Sequence, residues 1–164
     1  MSSLFVVAMI GILVIIFQFV NHSGPFSGSE SQHQSDNSNL NGKDKVYVKR
    51  VVDGDTFVAQ KNGEEMKVRL IGVDPPDTVK PNTPVQPNAT PAANSTKKSL
   101  TQQKQYLEYD KEKTDRYGRT LAYVWLKNGD MFNESLVKKG LAREKYFSPN
   151  GKYRDTFVNS QEEA

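Results

Sequence analysis

A run of apolar residues near the N-terminus decides which part of this chain can fold as a globular domain. Residues 4–20 (LFVVAMIGILVIIFQFV) contain no charged side chain, and about 17 residues is the lower limit for a helix that crosses a bilayer. No Lys or Arg precedes the run, although secretory signal peptides usually begin with a basic segment. Residues 1–22 are therefore predicted to form a hydrophobic helix, and a membrane anchor and a signal peptide both stay open.

The segment that follows this run does not have the composition of a folded domain. Residues 23–43 are mostly Ser, Asn, Gln and Gly, with few large apolar side chains. Such a segment cannot bury enough surface to offset the entropy lost on ordering, so it is predicted to be a disordered, flexible linker. A single domain, residues 44–164, remains, and its length suits one hydrophobic core.

The composition of the chain excludes several kinds of chemistry. The chain has no Cys and only two His, His22 and His33, so disulfides, thiolate metal sites and His-dependent triads are not expected. Catalysis must then rest on carboxylates, Arg, Lys or Tyr, and any metal should be a hard cation with oxygen ligands. All 22 basic residues and all but two of the 19 acidic residues lie from Lys43 onward. The domain is therefore net basic and suits a polyanionic partner.

The domain begins with a pattern that predicts strands. Met66, Val68 and Leu70 alternate with polar residues, which is typical of a strand with one buried face, and Asn62-Gly63 is a strong hairpin signal. Residues 74–91 hold six of the eight prolines, so neither a strand nor a helix can run through them. Five strands are predicted, over Val46–Val52, Thr56–Gln60, Glu65–Val73, Gln105–Tyr109 and Arg119–Leu126.

Three helices are predicted among these strands. Thr90 should cap the first helix, with Pro91 at its first position. Asn133 should cap a short second helix that Gly140 ends, and the last helix should begin near Tyr153. Five strands with a helix between the third and the fourth is the order of an OB-type barrel. The predicted fold class is therefore α+β, mainly β: a five-stranded OB-fold barrel with about three helices.

Four separated motifs carry the candidate chemistry. They are VDGDT, RLIGVDPPD, TDRYGRTLAYVW and NESLVKKGLA, and each alone reads as an ordinary turn, loop or helix. Together, in this order and at this spacing, they resemble the staphylococcal nuclease (thermonuclease) family, from about Val46 to the C-terminus. The resemblance implies an endonuclease that hydrolyses phosphodiester bonds of DNA and RNA with little sequence specificity, by in-line attack of water, and leaves 3′-phosphate ends.

The resemblance also implies a calcium site. Asp55 and Asp74 match the two metal-binding carboxylates of the family, and residue 75 matches a ligand that binds through its backbone carbonyl. Pro75 replaces the usual Thr, which keeps the carbonyl and removes a hydroxyl. A Ca²⁺ site of this kind fills at around millimolar, extracellular calcium. The domain is therefore expected outside the cell, held by a single-pass anchor at the cell membrane, or secreted if the N-terminal segment is cleaved.

The resemblance assigns roles to further residues of the site. Arg69 and Arg119 match the two arginines that hold the scissile phosphate, where a planar guanidinium can bind two oxygens. Asp77 matches the general base but stands where the family has Glu, one methylene longer. A displacement of about 1 Å can lower the rate roughly 10²-fold, so a weaker nuclease is expected.

The resemblance places three residues at the nucleotide pocket. Arg116, Tyr117 and Tyr146 match its lining, whereas Phe147 and Phe157 are predicted to pack against the last helix. The chain is expected to be a monomer. Two alternatives remain: a weak or inactive OB-fold module that binds nucleic acid at the membrane without cutting it, and a surface interaction module that binds no nucleic acid.

Overall fold

The computed structural model describes residues 38–76 and 90–164. The predicted N-terminal helix, most of the predicted linker and Asp77 lie outside the described residues. None of the helices formed by the residues that are described is both long and apolar enough to cross a membrane.

The described residues form a mainly β structure with three α-helices. A short 3₁₀ helix (Ser38–Leu40) precedes the first strand. The strands are β1 (Asp44–Asp53), β2 (Thr56–Lys61), β3 (Glu64–Leu70), β4 (Val73–Asp74), β5 (Lys104–Glu108), β6 (Thr120–Trp125) and β7 (Arg143–Glu144). The helices are α1 (Pro91–Leu100), α2 (Phe132–Lys138) and α3 (Arg154–Glu163).

Five of the strands close into a barrel in the order β1-β2-β3-β6-β5. Val46 and Val48 of β1 point into its core, and the residues between and beside them are exposed. The β2–β3 hairpin turns at Asn62 and Gly63, which both have positive φ, 51° and 83°, as the favoured two-residue hairpin turn requires. The predicted five-stranded barrel with three helices is confirmed.

The pairing of β3 with β6 brings distant parts of the chain together. These two strands run parallel, with Val68 opposite Thr120 and Arg69 opposite Leu121. Arg119 directly precedes β6, so this register places it beside the end of β3. The turn between β1 and β2 lies at the same end of the barrel, because Thr56 is opposite Arg69 in the β2–β3 pair.

The third strand ends earlier than predicted, at Leu70 instead of Val73. Gly72 has a φ of +76°, a conformation that glycine adopts without steric cost. A Cβ at this position would lie 2.6 Å from the Phe157 ring. The chain turns here and continues as β4, which pairs antiparallel with β7. This short two-stranded sheet, which the sequence pattern did not predict, positions Asp74 outside the barrel.

Helix α1 begins as predicted. The Thr90 side chain accepts a hydrogen bond from the Ala93 N–H at 2.9 Å, and Pro91 occupies the first turn. Buried Thr96 donates a hydrogen bond to the Gly54 carbonyl at 2.8 Å. Helix α1 therefore holds the β1–β2 turn in place.

The predicted capping role of Asn133 is wrong, because Met131 is the N-cap of α2. Asn133 is buried and bridges three backbone groups. Its Oδ1 accepts a hydrogen bond from the Val124 N–H at 2.9 Å. Its Nδ2 donates to the carbonyls of Ile71 at 2.9 Å and Ala122 at 3.3 Å. The side chain thus ties α2 to β6 and to the segment after β3. The predicted end of α2 at Gly140, which has a φ of +67°, and the start of the last helix after Tyr153 are confirmed.

We expect Asn133→Ala to lower the free energy of unfolding by about 2–3 kcal/mol, because the substitution leaves buried backbone groups without a partner. Guanidinium denaturation of the variant and the wild type measures the difference. Asn128→Ala, in an exposed turn, is the control and should change stability much less. A loss below about 1 kcal/mol for Asn133→Ala would contradict the bridging role.

Candidate active site

A cavity of about 420 Å³ opens at the end of the barrel where β3 ends and β6 begins. We call it the two-arginine cavity, because Arg69 and Arg119 both line it. Arg116, Tyr117 and Phe147 line it as well. Three guanidinium groups and two aromatic rings around one cavity of this size suit a phosphate with an attached nucleoside.

Arg69 is held on both sides by groups of the protein. Its Nη2 lies 3.0 Å from Asp55 Oδ2 and 4.0 Å from Asp74 Oδ1. Its Nη1 donates hydrogen bonds to the carbonyls of Val73, at 3.1 Å, and Leu70. Only 11% of the side chain is exposed. The guanidinium is therefore oriented before any substrate arrives, which is what electrostatic stabilisation of a transition state requires.

Arg119 is oriented by a single carboxylate. Its Nε donates to Asp115 Oδ2 at 2.6 Å, while Asp115 Oδ1 accepts the backbone N–H groups of Tyr117 and Arg119, both at 2.9 Å. Burial acts to raise the pKa of Asp115, but these hydrogen bonds outweigh it and lower the pKa. Asp115 therefore stays ionised and fixes both the turn and the second arginine.

Tyr117 and Arg116 form the outer rim of the cavity. Tyr117 is 68% exposed, and its hydroxyl accepts a hydrogen bond from Arg116 Nη2 at 2.6 Å. The guanidinium carbon of Arg119 lies 5.5 Å from the Tyr117 ring centre. An exposed ring beside two cations can stack on a base with little sequence preference.

Phe147, and not Tyr146, supplies the opposite aromatic wall. The Phe147 ring centre lies 6.0 Å from the guanidinium carbon of Arg69, and half of this residue is exposed. Tyr146 does not line the cavity; its ring contacts Gly151 and the Arg154 guanidinium. The predicted packing role is therefore wrong for Phe147 and confirmed for Phe157, which is buried in the core.

The carboxylates of Asp55 and Asp74 face the same nitrogen of Arg69. Arg69 therefore lies between the two carboxylates, and the backbone carbonyl of Pro75 follows Asp74 directly. Two carboxylates, a carbonyl and water form a donor set that suits a hard cation such as Ca²⁺, so these residues fit the predicted metal. No group of three or more His, Cys, Asp or Glu that could hold a metal occurs in residues 38–76 and 90–164.

Comparison with known proteins decides the family. The model for "Staphylococcal nuclease homologue" matches residues 67–164. A thermonuclease of Staphylococcus intermedius is 52% identical over 94% of this chain and 87% of its own length. This chain belongs to the staphylococcal nuclease family. A thermonuclease of Staphylococcus hyicus is 48% identical over 97% of this chain and 89% of its own length, and the endonuclease YncB of Bacillus subtilis is 39% identical over 87% and 69%.

Membership of the staphylococcal nuclease family confirms two predictions made from the four motifs. The family itself is the one that the motifs resembled, and the enzyme class, a nuclease, follows from it. The roles of the individual site residues stay predictions. Asp77, the predicted general base, lies outside the described residues.

Asp55 has an unusual environment for a carboxylate in this nuclease. Burial raises the pKa of Asp55 to about 6, and the neighbouring Asp53 acts in the same direction, while the charge of Arg69 opposes the rise. The Thr56 hydroxyl donates to Asp55 Oδ1 at 2.8 Å. Burial destabilises the ionised form of this carboxylate, and the charge of Arg69 does not fully offset the effect. A second cation nearby would therefore stabilise the ionised form.

Besides Phe147, Lys145 and Asn150 lie at the site and were not predicted from the sequence. Lys145 Nζ lies 3.4 Å from Asp74 Oδ2 and 5.2 Å from the Phe147 ring centre. Buried Asn150 accepts the Glu112 N–H at 2.9 Å and donates to the Glu112 carbonyl at 2.8 Å. Asn150 therefore ties the loop that carries Phe147 to the segment before Asp115. Neither residue belongs to a motif, so local sequence offered no signal for either.

Proposed function

We propose that this protein is a calcium-dependent nuclease that hydrolyses phosphodiester bonds in DNA and RNA and leaves 3′-phosphate ends. The observation that supports this most strongly is the position of Arg69. Its guanidinium lines the same cavity as Arg119 and also faces the carboxylates of Asp55 and Asp74. Arg69 therefore connects the cavity in which a phosphate would bind with the predicted cation ligands, which do not line the cavity themselves.

The chemistry follows from these positions. Arg69 and Arg119 bind the non-bridging oxygens of the scissile phosphate and stabilise the charge that develops on them. Asp77 takes a proton from the attacking water, whose oxygen forms the new bond to phosphorus while the bond to the 5′ oxygen breaks. The 5′ oxygen leaves and takes up a proton, so the phosphate stays on the 3′ side. Asp55, Asp74 and the Pro75 carbonyl would hold the cation, which would supply further positive charge at the phosphate.

Substrate selection rests on the walls of the two-arginine cavity. Tyr117 and Phe147 present ring faces, and a ring face stacks on any base. Arg116 adds a charge at the rim. We therefore propose that single strands of DNA and RNA both bind, with little dependence on sequence.

A cleavage assay tests the proposal. The protein is incubated with labelled single-stranded DNA and RNA in Ca²⁺ or in EGTA, and Arg119→Ala serves to exclude a contaminating nuclease. We expect cleavage only with Ca²⁺, and products that shift in electrophoretic mobility after phosphatase treatment of their 3′ ends. Binding without cleavage would support the alternative of a pure binding module. Neither binding nor cleavage would support an interaction module.

We expect the apparent calcium affinity to fall about tenfold between pH 7 and pH 5. Asp55 must be ionised to bind the cation, and its pKa of about 6 means that the proton occupies it at pH 5 but not at pH 7. The affinity is therefore highest above pH 6 and decreases below it. Calorimetric titration with Ca²⁺ at several pH values measures this, and an affinity that does not change over this range would contradict the role of Asp55.

We expect Asp77→Glu to raise kcat, by up to about 10²-fold. The family resemblance gives this position the general base, and the longer side chain restores the reach that Asp lacks. Steady-state kinetics on a defined oligonucleotide measure the change. A lower kcat for Asp77→Glu, with unchanged Ca²⁺ affinity, would mean that another group accepts the proton.

We also propose that residues 1–22 anchor the protein at the cell membrane, or direct its secretion if they are cleaved, with the nuclease domain outside the cell. The apolar run at residues 4–20 and the moderate affinity expected of a site with two carboxylates support this. Protease treatment of intact cells tests it, since a domain on the inside would stay protected. We also propose that the linker spans residues 23–43, that the nuclease domain spans residues 44–164, and that the protein is a monomer.

A further inference from the structure

A second cavity, of about 570 Å³, lies on the outside of the barrel where β1 and β5 begin and β6 ends. Three lysines line it, Lys45, Lys104 and Lys127, and none of its described lining residues is acidic. We call it the lysine cavity. The two-arginine cavity, by contrast, contains Glu112 and Asp115. Lys45 and Lys104 are exposed cations at this concave surface, and exposed cations in a concave surface concentrate anions.

The strands beside the lysine cavity carry an alternating pattern of cations and rings. Lys45 of β1 is opposite Tyr106 of β5, and Tyr47 is opposite Lys104. Lys45, Tyr47 and Lys104 are exposed and Tyr106 is partly exposed, whereas Val46 and Gln105 between them are buried. Lys45 Nζ lies 5.8 Å from the Tyr106 ring centre. We call these four residues the β1–β5 surface.

Nearby carboxylates do not neutralise this surface. Asp44 pairs with Lys61 at 2.8 Å and accepts the Tyr109 hydroxyl. Glu108 accepts hydrogen bonds from Lys152 and from the Trp125 indole. Both acids therefore have cationic partners of their own, and the positive charge of the β1–β5 surface remains available to a ligand.

We propose that the β1–β5 surface and the lysine cavity bind a single strand of nucleic acid at a distance from the two-arginine cavity. Alternating lysines and tyrosines match the phosphates and bases of a single strand. The proposal rests on the proposed nuclease function, since the strand bound here is a distant part of the same substrate. The surface thus adds affinity for long substrates and is not used by short ones.

The length of β1 sets the substrate length at which the surface contributes. Lys45 and Asp53 are at opposite ends of this strand, so a rise of about 3.3 Å per residue separates them by roughly 25 Å. A stacked strand covers this distance in about seven nucleotides at roughly 3.4 Å each. An oligonucleotide of four nucleotides in the two-arginine cavity cannot reach the β1–β5 surface, whereas one of thirty nucleotides can.

Binding measurements in EGTA test the proposal without cleavage. The double variant Lys45→Gln/Lys104→Gln is compared with Lys138→Gln/Lys139→Gln, which removes the same charge from exposed positions on and after α2. For a 30-nucleotide single strand we expect fluorescence anisotropy to give a Kd about tenfold higher in the first variant only. In the first variant, the slope of the logarithm of the binding constant against the logarithm of the salt concentration should be less steep by about 1.4. This is the change expected for two lost phosphate contacts on a single strand.

The short substrate and a lipid control make the result decisive. We expect cleavage of a four-nucleotide strand in Ca²⁺ to be unchanged in Lys45→Gln/Lys104→Gln, which shows that the protein is folded and active. Equal Kd values of both double variants for the 30-nucleotide strand would overturn the proposal. So would a loss of binding to anionic lipid vesicles with unchanged binding of the strand, because the surface would then bind membrane. Failure of the wild type to cleave either strand would reject the nuclease function and leave the binding comparison valid.

Discussion

Arg69→Lys should lower kcat/KM for single-stranded DNA by about 10²-fold or more. Arg69 donates to backbone carbonyls with Nη1 while its Nη2 faces Asp55 and Asp74. A lysine has a single ammonium nitrogen, so it cannot make both sets of contacts in the fixed plane of a guanidinium. The positive charge remains in the variant, so the loss reports the geometry of the guanidinium. Removal of one preorganised donor from a site of this kind typically costs this much.

The control for this experiment is Arg50→Lys, an exposed arginine on β1. It should leave kcat/KM within about twofold of the wild type. Thermal unfolding followed by circular dichroism distinguishes a catalytic loss from a folding defect, because Arg69 also contacts the backbone at the end of β3. An Arg69→Lys enzyme that cleaves at the wild-type rate would show that the guanidinium does not stabilise the transition state.

Asp55→Asn should weaken calcium binding by about 10²-fold or more and reduce cleavage at 1 mM Ca²⁺ in proportion. The amide keeps the shape of the side chain and can still accept the Thr56 hydroxyl, but it removes one of only two carboxylates in the predicted donor set. Charge count is a main determinant of affinity at such sites. Changes in groups that only support metal ligands already cost about 10- to 100-fold.

Calorimetric titration of Asp55→Asn with Ca²⁺ measures the affinity directly, without substrate. Asp130→Asn, which changes an exposed acid in the turn before α2, is the matched control and should bind like the wild type. Asp55→Asn should also lose the pH dependence of calcium affinity that is expected from the raised pKa of Asp55. Unchanged affinity in Asp55→Asn would place the cation elsewhere.

The local sequence was sufficient to predict most strands and turns of the barrel. The alternation of Met66, Val68 and Leu70 and the Asn62-Gly63 turn depend on neighbours along the chain, and a strand pattern read from them is therefore dependable. The roles of Gly72 and Asn133 could not be predicted from local sequence, because they depend on residues distant in the chain. The Phe157 ring packs where a side chain on Gly72 would be, and Asn133 binds backbone groups up to 62 positions away.

The candidate site also contains some residues that local motifs could assign and others that they could not. Arg69, Arg119, Asp55 and Asp74 lie in motifs that the resemblance could assign, and the structure brings them to one end of the barrel. Lys145 and Phe147 approach the site through the β4–β7 pair and the loop after it, a contact between segments about 70 positions apart. No short motif signals such a contact, and a ring in a loop can face either the core or solvent.

We propose that a cation and two guanidinium groups act on one phosphate. A crystal structure of the protein with Ca²⁺ and a phosphorothioate dinucleotide can test this arrangement. We expect Ca²⁺ bound by Asp55 and Asp74, and the thiophosphate between Arg69 and Arg119. A thiophosphate bound away from the two arginines, with no calcium at the two carboxylates, would contradict it.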